Sequence, residues 1–466
     1  MNSMFHSLPS PARTSRRTAR RAAPRTARRG TGVLAAGVAV ALFAAACSSG
    51  ESALGSGADD GPDPTEAAGD GTDPDATEGT EPTGTEDADA GADAGETTLA
   101  PTTTVAPLAD FPDCPTEALD AADGPVDIVF WHGMANDLEP VLIELTEAYN
   151  ANQDRVRVEL QNQTSYDSAI ERYIAAGQGS RPTIVQLPEY ALVEFADSGT
   201  VVPVGACIES SGFDTEPFLP RALGAYQLEG IQWAMPFNVS NPVLYYNRQM
   251  FEAAGLDPDD PPITLDELRD TSQTLVDADV ATYGMVLDTG PDSGGSWFLE
   301  QWFGRAGELY ADNGNGRLAP ATEVLYDNEL GVELLTFMQD LIADGLAVNV
   351  GDNASGQDAL LKLADATEPG AMVMYTSAAL GTVINALGSG LAAGLGPEDI
   401  GVGPMPGPSP EPAVQVGGAS LWIVSEKSPE QTAAAWDYVT HLTDAASQST
   451  WSAGTGYVPV RADALD

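Results

Sequence analysis

Apolar residues recur along the carboxy-terminal three quarters of the chain in two patterns, short continuous runs and runs with helical spacing. The short runs predict buried strands at 126–131, 156–160 and 183–187. Segments with helical spacing follow each run and predict helices at 138–151, 166–176 and 190–196. Strands that alternate with helices are typical of a parallel sheet covered on both faces, so we predict an α/β fold.

Helical patterns predominate in the second part of the chain. They predict helices at 264–276, 296–307, 328–343, 357–366 and 429–442. Thr264 and Asp327 stand where the first and third of these patterns begin, so we expect their side chains to cap those helices. Two further apolar runs predict buried strands at 371–375 and 420–424.

Met134, Tyr166 and Glu189 lie just past the ends of the first three predicted strands. In open parallel sheets, ligands bind at the loops beyond the carboxyl ends of the strands. The order of the elements therefore places these residues beside a ligand.

The amino terminus has the pattern of an export signal. The first thirty residues contain eight Arg and no acid, and a run of small apolar residues at 31–46 ends at Cys47. That run is shorter than a membrane span and has the length of a signal-peptide core, so we predict a signal peptide at 1–46 rather than a membrane anchor. The segment Ala44-Ala-Ala-Cys47 resembles a bacterial lipobox, which implies that Cys47 carries a lipid. The pair Arg28-Arg29 leaves both general and twin-arginine export open.

The next segment, 47–112, is rich in Gly, Asp, Glu, Thr and Pro and contains no Lys or Arg. It has almost no aromatic residue to bury, so we predict a disordered acidic tether before a folded domain at 113–466. The whole chain has a formal net charge of −49, and loss of the signal peptide would make it more negative. Such a charge disfavours nucleic acid and anionic lipid headgroups as partners.

The residues that common catalytic and metal sites require are scarce. The histidines are His6, His132 and His441, too few and too dispersed for a zinc site or a histidine-based triad. The chain has no Gly-rich nucleotide loop and no nucleophile elbow, so we expect neither cofactor nor metal. Paired carboxylates for glycoside cleavage stay open as an alternative, but no pattern singles out a pair, and we predict a protein that is not an enzyme.

Two cysteines are left once Cys47 is lipidated. In an exported protein, Cys114 and Cys207 most simply form a disulfide, and two buried thiols are the alternative.

One longer motif indicates a family. The sequence PFNVSNPVLYYNR at 236–248, followed by FEAAGLDP at 251–258, resembles the crossover between the lobes of extracellular solute-binding proteins of family 1. The segments FWH, PTIVQ, GGASLW and GTGYVP agree, and the last two are most similar to the glycerol-3-phosphate and glycerophosphodiester-binding proteins of ABC importers. They lie at 130–132, 182–186, 417–422 and 454–459.

The resemblance implies a two-lobe periplasmic-binding-protein fold. Each lobe would hold a mostly parallel sheet flanked by helices, with the ligand in the cleft between the lobes. Lobe 1 would comprise about 126–238 and 375–441, and lobe 2 about 242–374 and 442–466. Relatives continue well past the Thr-Gly-Tyr segment, so we expect lobe 2 to be incomplete and to expose an apolar surface.

The resemblance also implies a set of ligand contacts. Tyr166 and Ser240 match hydroxyl groups, Glu189 matches an acid that accepts hydrogen bonds from glycerol hydroxyls, and Trp297 matches an aromatic wall. Each has a structural alternative: Trp297 could be a core aromatic, and Glu189 could be one more surface acid.

Three further contacts follow from the same resemblance. Gly418 would let a backbone N–H approach the ligand, Tyr457 would contact its phosphate side, and Thr376 replaces a serine of the family. Gly418 could instead permit tight packing, and Tyr457 could be a core aromatic. The phosphate-binding arginine of the family has no counterpart, and Arg461 is the nearest substitute.

These observations predict a lipoprotein on the extracellular face of the cell membrane. It would capture glycerol-3-phosphate or a glycerophosphodiester such as glycerophosphocholine and deliver it to the transmembrane subunits of an ABC permease. Glycines and serines at 293–296 replace one tryptophan of the family, which would suit a different or larger ligand. A neutral-oligosaccharide carrier and a cell-surface hydrolase are the alternatives.

Overall fold

A computed structural model gives the structure of the protein at residues 111–135, 137–290, 297–351, 358–390, 392 and 394–465. The predicted signal peptide, Cys47 and nearly all of the tether at 47–112 lie outside the described residues. No helix within these ranges has both the length and the apolar character needed to cross a membrane.

Lobe 1 is built on a mixed sheet. Its strands are β1 (Val126–His132), β2 (Val156–Asn162), β3 (Ile184–Pro188), β4 (Val201–Val202), β7 (Met235–Ser240) and β13 (Gly417–Val424). The strands lie in the order β2-β1-β3-β13-β4, and β7 also pairs with β13. Strand β1 runs parallel to β2 and β3, whereas β13 is antiparallel to its neighbours.

Helices and a small hairpin cover both faces of this sheet. They are α1 (Leu138–Asn152), α2 (Tyr166–Ala175), α3 (Leu192–Asp197), α4 (Val204–Ser211), α5 (Pro220–Ala225), α13 (Pro429–Leu442), α14 (Ala445–Thr455) and the hairpin of β5 (Gln227–Leu228) and β6 (Ile231–Gln232). On one face Phe130 of the sheet packs with Leu142 of α1 and Tyr438 of α13, and on the other Trp422 packs against Phe195 of α3. Cys114 and Cys207 are joined by a disulfide that ties the segment before β1 to α4, so the predicted pairing is confirmed.

Lobe 2 has its own mixed sheet, in the order β10-β9-β11-β8-β12. Its strands are β8 (Pro242–Asn247), β9 (Tyr283–Leu287), β10 (Ala347–Asn349), β11 (Gly370–Thr376) and β12 (Ile400–Pro404). Its helices are α6 (Arg248–Ala254), α7 (Leu265–Asp277), α8 (Trp297–Ala306), α10 (Glu329–Ala343), α11 (Asp358–Lys362) and α12 (Leu380–Gly388), and the four-residue element α9 (Asp312–Asn315) is a turn with left-handed residues. The outer face of α10 leaves Val332, Leu335 and Ile342 exposed.

The chain passes from the first sheet to the second at Asn241, inside the predicted crossover motif. Strand β7 ends at Ser240 in the first sheet, and β8 begins at Pro242 in the second. The return passage lies between the end of β12 and the start of β13. The two lobes are therefore separate sheets, joined at Asn241 and by the segment 405–416.

Two predicted lobe boundaries are wrong. Strand β12 pairs antiparallel with β8, so this part of 375–441 belongs to the sheet of lobe 2. The segment 442–466 was assigned to lobe 2, but α14 lies against α1 and α13, and Trp451 and Tyr457 join the lobe 1 core. The aromatic face of α14 finds its partner, Phe237, on β7, and this contact decides its lobe.

Local signals located the helices to within a few residues. Thr264 accepts a hydrogen bond from Glu267 N–H in a capping box, as expected. Asp327 was the wrong cap for α10, since the side chain of Asn328 accepts from Gly331 N–H instead. The predicted helix at 190–196 begins as a short 3₁₀ turn, Glu189–Ala191, before α3.

Candidate functional site

A chain of buried and partly buried hydrogen bonds links the loop after β1, strands β3 and β7, and the two tyrosines Tyr166 and Tyr457 in lobe 1. Gly133 N–H donates to Gln186 Oε1 (3.0 Å), and Gln186 Nε2 donates to Asn238 Oδ1 (2.7 Å). Asn238 Nδ2 donates to the Tyr166 hydroxyl (2.7 Å), whose oxygen lies 3.4 Å from the Tyr457 hydroxyl oxygen. Gln186 and Asn238 are fully buried, so this network fixes the two tyrosine hydroxyls in place.

Tyr166 is positioned by the start of α2. The Ser165 side chain accepts from Ser168 N–H and caps the helix, so Tyr166 is its first residue. A Cβ at Gly133 would lie 2.9 Å from the Ser165 carbonyl carbon, and a glycine there lets the loop after β1 pack against this cap. Burial raises the pKa of the Tyr166 hydroxyl well above its usual value, and nearby Tyr457 adds to the effect.

Tyr457 is positioned by α14 and the turn after it. Its ring stacks on Trp451 with 5.7 Å between centroids, and Trp451 in turn packs against Phe237. Gly456, at φ 89°, makes the turn, and Val458 N–H donates to Val239 O on β7. Tyr457 thus has core packing on one side and the Tyr166 hydroxyl on the other.

Gly418 lies where β13 passes closest to β7. Its φ is +100°, and a Cβ built there would be 1.9 Å from the carbonyl oxygen of Asn238. Both features require glycine, because a side chain would be strained and would collide with backbone. The structure therefore gives Gly418 a packing role, and its contact with a ligand stays a prediction. Ser240, opposite Gly417 in the register, is also buried at this position.

Thr376 ends β11 beside the crossover. Its hydroxyl accepts from Ala378 N–H (3.2 Å), so it caps the following turn. The neighbouring Ser377 N–H donates to Asn241 O (2.8 Å), and Asn241 N–H donates to the Ser377 hydroxyl (3.1 Å). This pair of bonds holds the lobe 2 strand end against the connection that follows Ser240.

Glu189 lies at the boundary between the lobes, in the turn after β3. Burial raises the pKa of its carboxyl to about 7, and the charge of Glu300 on α8 acts in the same direction. The Arg317 guanidinium of lobe 2 acts in the opposite direction. Both charged neighbours belong to lobe 2, so Glu189 faces across the cleft and is not a freely solvated surface acid.

Neither Trp297 nor Arg461 is among the described side chains that lie with the tyrosine pair. Trp297 begins α8, but its side chain lies outside the described residues. Arg461 was considered as a substitute phosphate anchor, yet its guanidinium pairs with Asp463 and lies over the Phe218 ring. Arg461 is therefore committed to a structural role away from the tyrosine pair.

Sequence reasoning missed four polar groups at this site. They are Gln186, Asn238, Tyr226 and Arg317. Gln186 and Asn238 could have been identified, because each is a polar residue in the middle of a fully buried strand and therefore needs a hydrogen-bond partner. Nothing in the sequence singles out Arg317. It lies in a loop, and only the folded structure shows that this loop brings it across the cleft.

The described residues contain no group of three or more His, Cys, Asp or Glu side chains suited to a metal ion. His132, at the end of β1, is fully buried against Phe130, and burial lowers its pKa to about 4. The neutral imidazole is part of the lobe 1 core.

The comparisons agree with this architecture. Residues 135–449 match the model of the bacterial extracellular solute-binding protein family. The sn-glycerol-3-phosphate-binding periplasmic protein UgpB of Rhizobium meliloti (strain 1021) is 26% identical over 348 residues, 73% of this chain and 76% of the relative.

Two solved structures share the fold. UgpB from Mycobacterium tuberculosis in complex with glycerophosphocholine superposes with a TM-score of 0.61 at 24% identity, covering 74% of this chain and 84% of the other. Maltose-bound MalE3 of T. maritima superposes with a TM-score of 0.59 at 22% identity, covering 73% and 83%. Both likenesses show the two-lobe fold alone. With the family match over more than half of its length, this chain belongs to the bacterial extracellular solute-binding proteins, which are ligand carriers of ABC importers and not enzymes.

Proposed function

We propose that this protein captures a glycerophosphodiester with a cationic head, such as glycerophosphocholine, and delivers it to an ABC permease. The observation that supports this most is the grouping of Tyr166, Tyr457 and Glu189 at the lobe boundary. Two fixed hydroxyls and a carboxylate suit a polyol, since hydroxyls both donate and accept while a carboxylate accepts two hydrogen bonds. The relatives named for glycerol-3-phosphate binding support the same ligand class.

Charge favours the zwitterionic diester over a phosphate monoester. The chain is strongly acidic, and Arg461 is committed to Asp463. A dianion must approach against this field, and the cation at the cleft, Arg317, is already opposed by Glu189 and bonded to two backbone carbonyls. A quaternary ammonium can instead lie against an aromatic face beside a carboxylate, which is worth about 0.5–2 kcal/mol.

A thermal-shift screen tests the ligand class. Glycerophosphocholine, glycerol-3-phosphate, other glycerophosphodiesters and maltose are added singly to the folded domain. Ligand at 100-fold over its Kd adds about 2.7 kcal/mol of stability, so we expect a clear rise in Tm for a glycerophosphodiester. A rise with maltose alone would make the protein a sugar carrier, and product formed during incubation would make it a hydrolase.

Calorimetry then ranks the charged ligands. We expect glycerophosphocholine to bind more tightly than glycerol-3-phosphate, and the reverse order would contradict the charge argument.

Alanine variants test the placement of the site. Glu189→Ala should weaken binding by about 1.5–3 kcal/mol, because the ligand loses a charged acceptor. Trp297→Ala should also weaken binding, because it removes the proposed aromatic wall. Glu194→Ala, an exposed acid on α3, is the matched control for which affinity should not change. Unchanged affinity in both site variants would place the site elsewhere.

The proposal includes a lipid anchor at Cys47. Expression in a bacterial host should yield a protein that partitions into the detergent phase. A Cys47→Ser variant should stay in the aqueous phase with the same ligand affinity. Equal partition of both proteins would show that no lipid is attached there.

A further inference from the structure

The Tyr226 hydroxyl is a polar group without a protein partner. The residue is fully buried, and among the described residues no atom is placed to hydrogen-bond to its oxygen. Other fully buried tyrosines are satisfied: Tyr245 donates to Thr376 O (2.9 Å), and Tyr438 is bonded to Thr146 Oγ1 (2.6 Å). Because buried hydroxyls are nearly always hydrogen-bonded, an unbonded one at a binding cleft indicates a partner that the protein itself does not supply.

Backbone bonds and core packing together hold Tyr226 in place. Tyr226 closes α5, its N–H donates to Leu223 O (3.1 Å), and its carbonyl accepts from Trp233 N–H (3.1 Å). The hairpin of β5 and β6 follows at once, with a tight turn at Glu229 and Gly230. The ring itself is fully buried in a core cluster that includes Trp233 and Phe195, and this packing restricts its rotation toward another partner.

The surroundings of the hydroxyl are the groups already assigned to the site. Burial raises its pKa well above the usual value, and the nearby Glu189 and Tyr457 act in the same direction. Tyr226 in turn contributes to the electrostatic environment of Tyr166. The hydroxyl therefore lies among the predicted ligand contacts of lobe 1.

Arg317 of lobe 2 lies against the backbone on both sides of Tyr226. Its Nη1 atom donates to Ala225 O (3.1 Å) and Gln227 O (3.4 Å), the carbonyls on either side of Tyr226. The loop that presents it is tightly organised, with Asn313, Gly314, Asn315 and Gly316 all at positive φ. The Asp312 carboxylate accepts from Thr322 N–H and its hydroxyl, which closes the base of this loop.

We propose that the Tyr226 hydroxyl is a ligand-binding group, which donates to an oxygen of the polyol portion held by Glu189. The Glu189 carboxylate accepts from a ligand hydroxyl, Tyr226 donates to the same or the adjacent oxygen, and Arg317 covers the pair from lobe 2. This assignment rests on the proposed function, because it places a polyhydroxylated ligand between the lobes. The chemistry requires a vicinal hydroxyl or ether oxygen, a feature that glyceryl groups and sugars share.

Tyr226→Phe separates this role from a structural one. Removing an unsatisfied buried hydroxyl should leave the Tm of the ligand-free protein unchanged or raised, while the Kd for glycerophosphocholine rises about 10-fold. Tyr438→Phe is the matched control, since it removes a buried hydroxyl that has a protein partner. It should lower the ligand-free Tm and leave the Kd unchanged.

Three results would overturn the assignment. One is a ligand-free Tm that falls as far in Tyr226→Phe as in Tyr438→Phe, which would mean that the protein satisfies the hydroxyl. Another is an unchanged Kd in Tyr226→Phe for whichever of glycerophosphocholine, glycerol-3-phosphate or maltose binds the unmodified protein. The third is an equal loss of affinity in both variants. Binding of maltose alone would reject the proposed ligand class, but the effect of Tyr226→Phe on maltose affinity would still test the role of Tyr226. If none of the three compounds binds, the comparison of ligand-free Tm values decides whether the hydroxyl lacks a protein partner.

Discussion

The two sides of the cleft are built differently. On the lobe 1 side, Tyr166 and Tyr457 end a chain of hydrogen bonds through fully buried amide side chains. On the lobe 2 side, Arg317 projects from a surface loop, and its neighbour Leu318 is 71% exposed. One half of the site is therefore preorganised by the core, and the other is carried by local loop geometry.

This difference indicates where binding energy and selectivity arise. A hydroxyl fixed by a buried network loses little freedom when a ligand arrives, so at the proposed site we expect lobe 1 to supply most of the directional contacts. A loop arginine is ordered mainly by its own turn, so at the proposed site we expect lobe 2 to contribute closure and to tolerate more change. The disulfide lies in lobe 1 as well, away from the cleft.

The largest effect should come from the disulfide of lobe 1. Cys114 and Cys207 are 93 residues apart, and opening a loop of this length costs about 4 kcal/mol of stability in the chain-entropy view. A Cys114→Ala, Cys207→Ala variant, with Cys47→Ser in both proteins, should show this loss in urea unfolding. If lobe 1 holds the preorganised half, ligand affinity should fall too. A loss of stability with unchanged affinity would show that the network survives without the crosslink.

Gly418→Ala should damage the lobe 1 side directly. The added Cβ would meet the Asn238 carbonyl oxygen at 1.9 Å from a backbone with φ of +100°, and we expect a loss of about 3 kcal/mol with loss of binding. Gly388→Ala, at the end of α12 with open space around it, is the control and should be neutral or slightly stabilising. Near-normal stability of Gly418→Ala would mean that β13 can move away from β7.

The pH dependence of stability tests Glu189. Its pKa of about 7 in the folded protein lies above its ordinary 4.5, so the folded state retains a proton that the unfolded chain releases. The stabilisation of the folded state by this retained proton is fully present below about pH 4.5 and is lost as the pH rises through 7. Because the residue as a whole is partly exposed, we expect a fall of about 1–2 kcal/mol between pH 5 and 8.

Glu189→Gln should remove the fall in the free energy of unfolding between pH 5 and 8. Ligand affinity should change in the opposite sense, rising through pH 7 in the unmodified protein, because a ligand that donates to the carboxylate needs it ionised. A stability profile that is the same in both proteins would mean that Glu189 is not buried between the lobes.

The smallest effect should come from the lobe 2 side. Arg317→Gln removes two bonds to the carbonyls beside Tyr226, and we expect less than about 1 kcal/mol in unfolding and a few-fold faster ligand release. Arg269→Gln, which breaks a surface ion pair with Asp344 away from the cleft, is the control. A loss of affinity as large as that of Glu189→Ala would show that lobe 2 contributes as much as lobe 1.

Several features of the molecule were determined by the sequence alone. The run that forms β1 buries alternate residues, and the Thr264 capping box starts α7. Both features could be predicted because they depend on residues close together in the chain. The crossover could also be predicted from the sequence, since its motif contains the end of one strand and the start of another. The candidate contacts Tyr166 and Glu189 followed from strand ends, which parallel sheets place at one edge.

Only the tertiary structure decided the rest. The lobe of α14 depended on Trp451 packing against Phe237, which is more than 200 residues earlier in the chain. The strand β12 is short, and its pairing with β8 decides its lobe. The isolated hydroxyl of Tyr226 and the reach of Arg317 across the cleft depend on contacts between distant segments, which no local pattern encodes. Secondary structure follows from neighbours in the sequence, whereas a binding site is made by residues that only folding brings together.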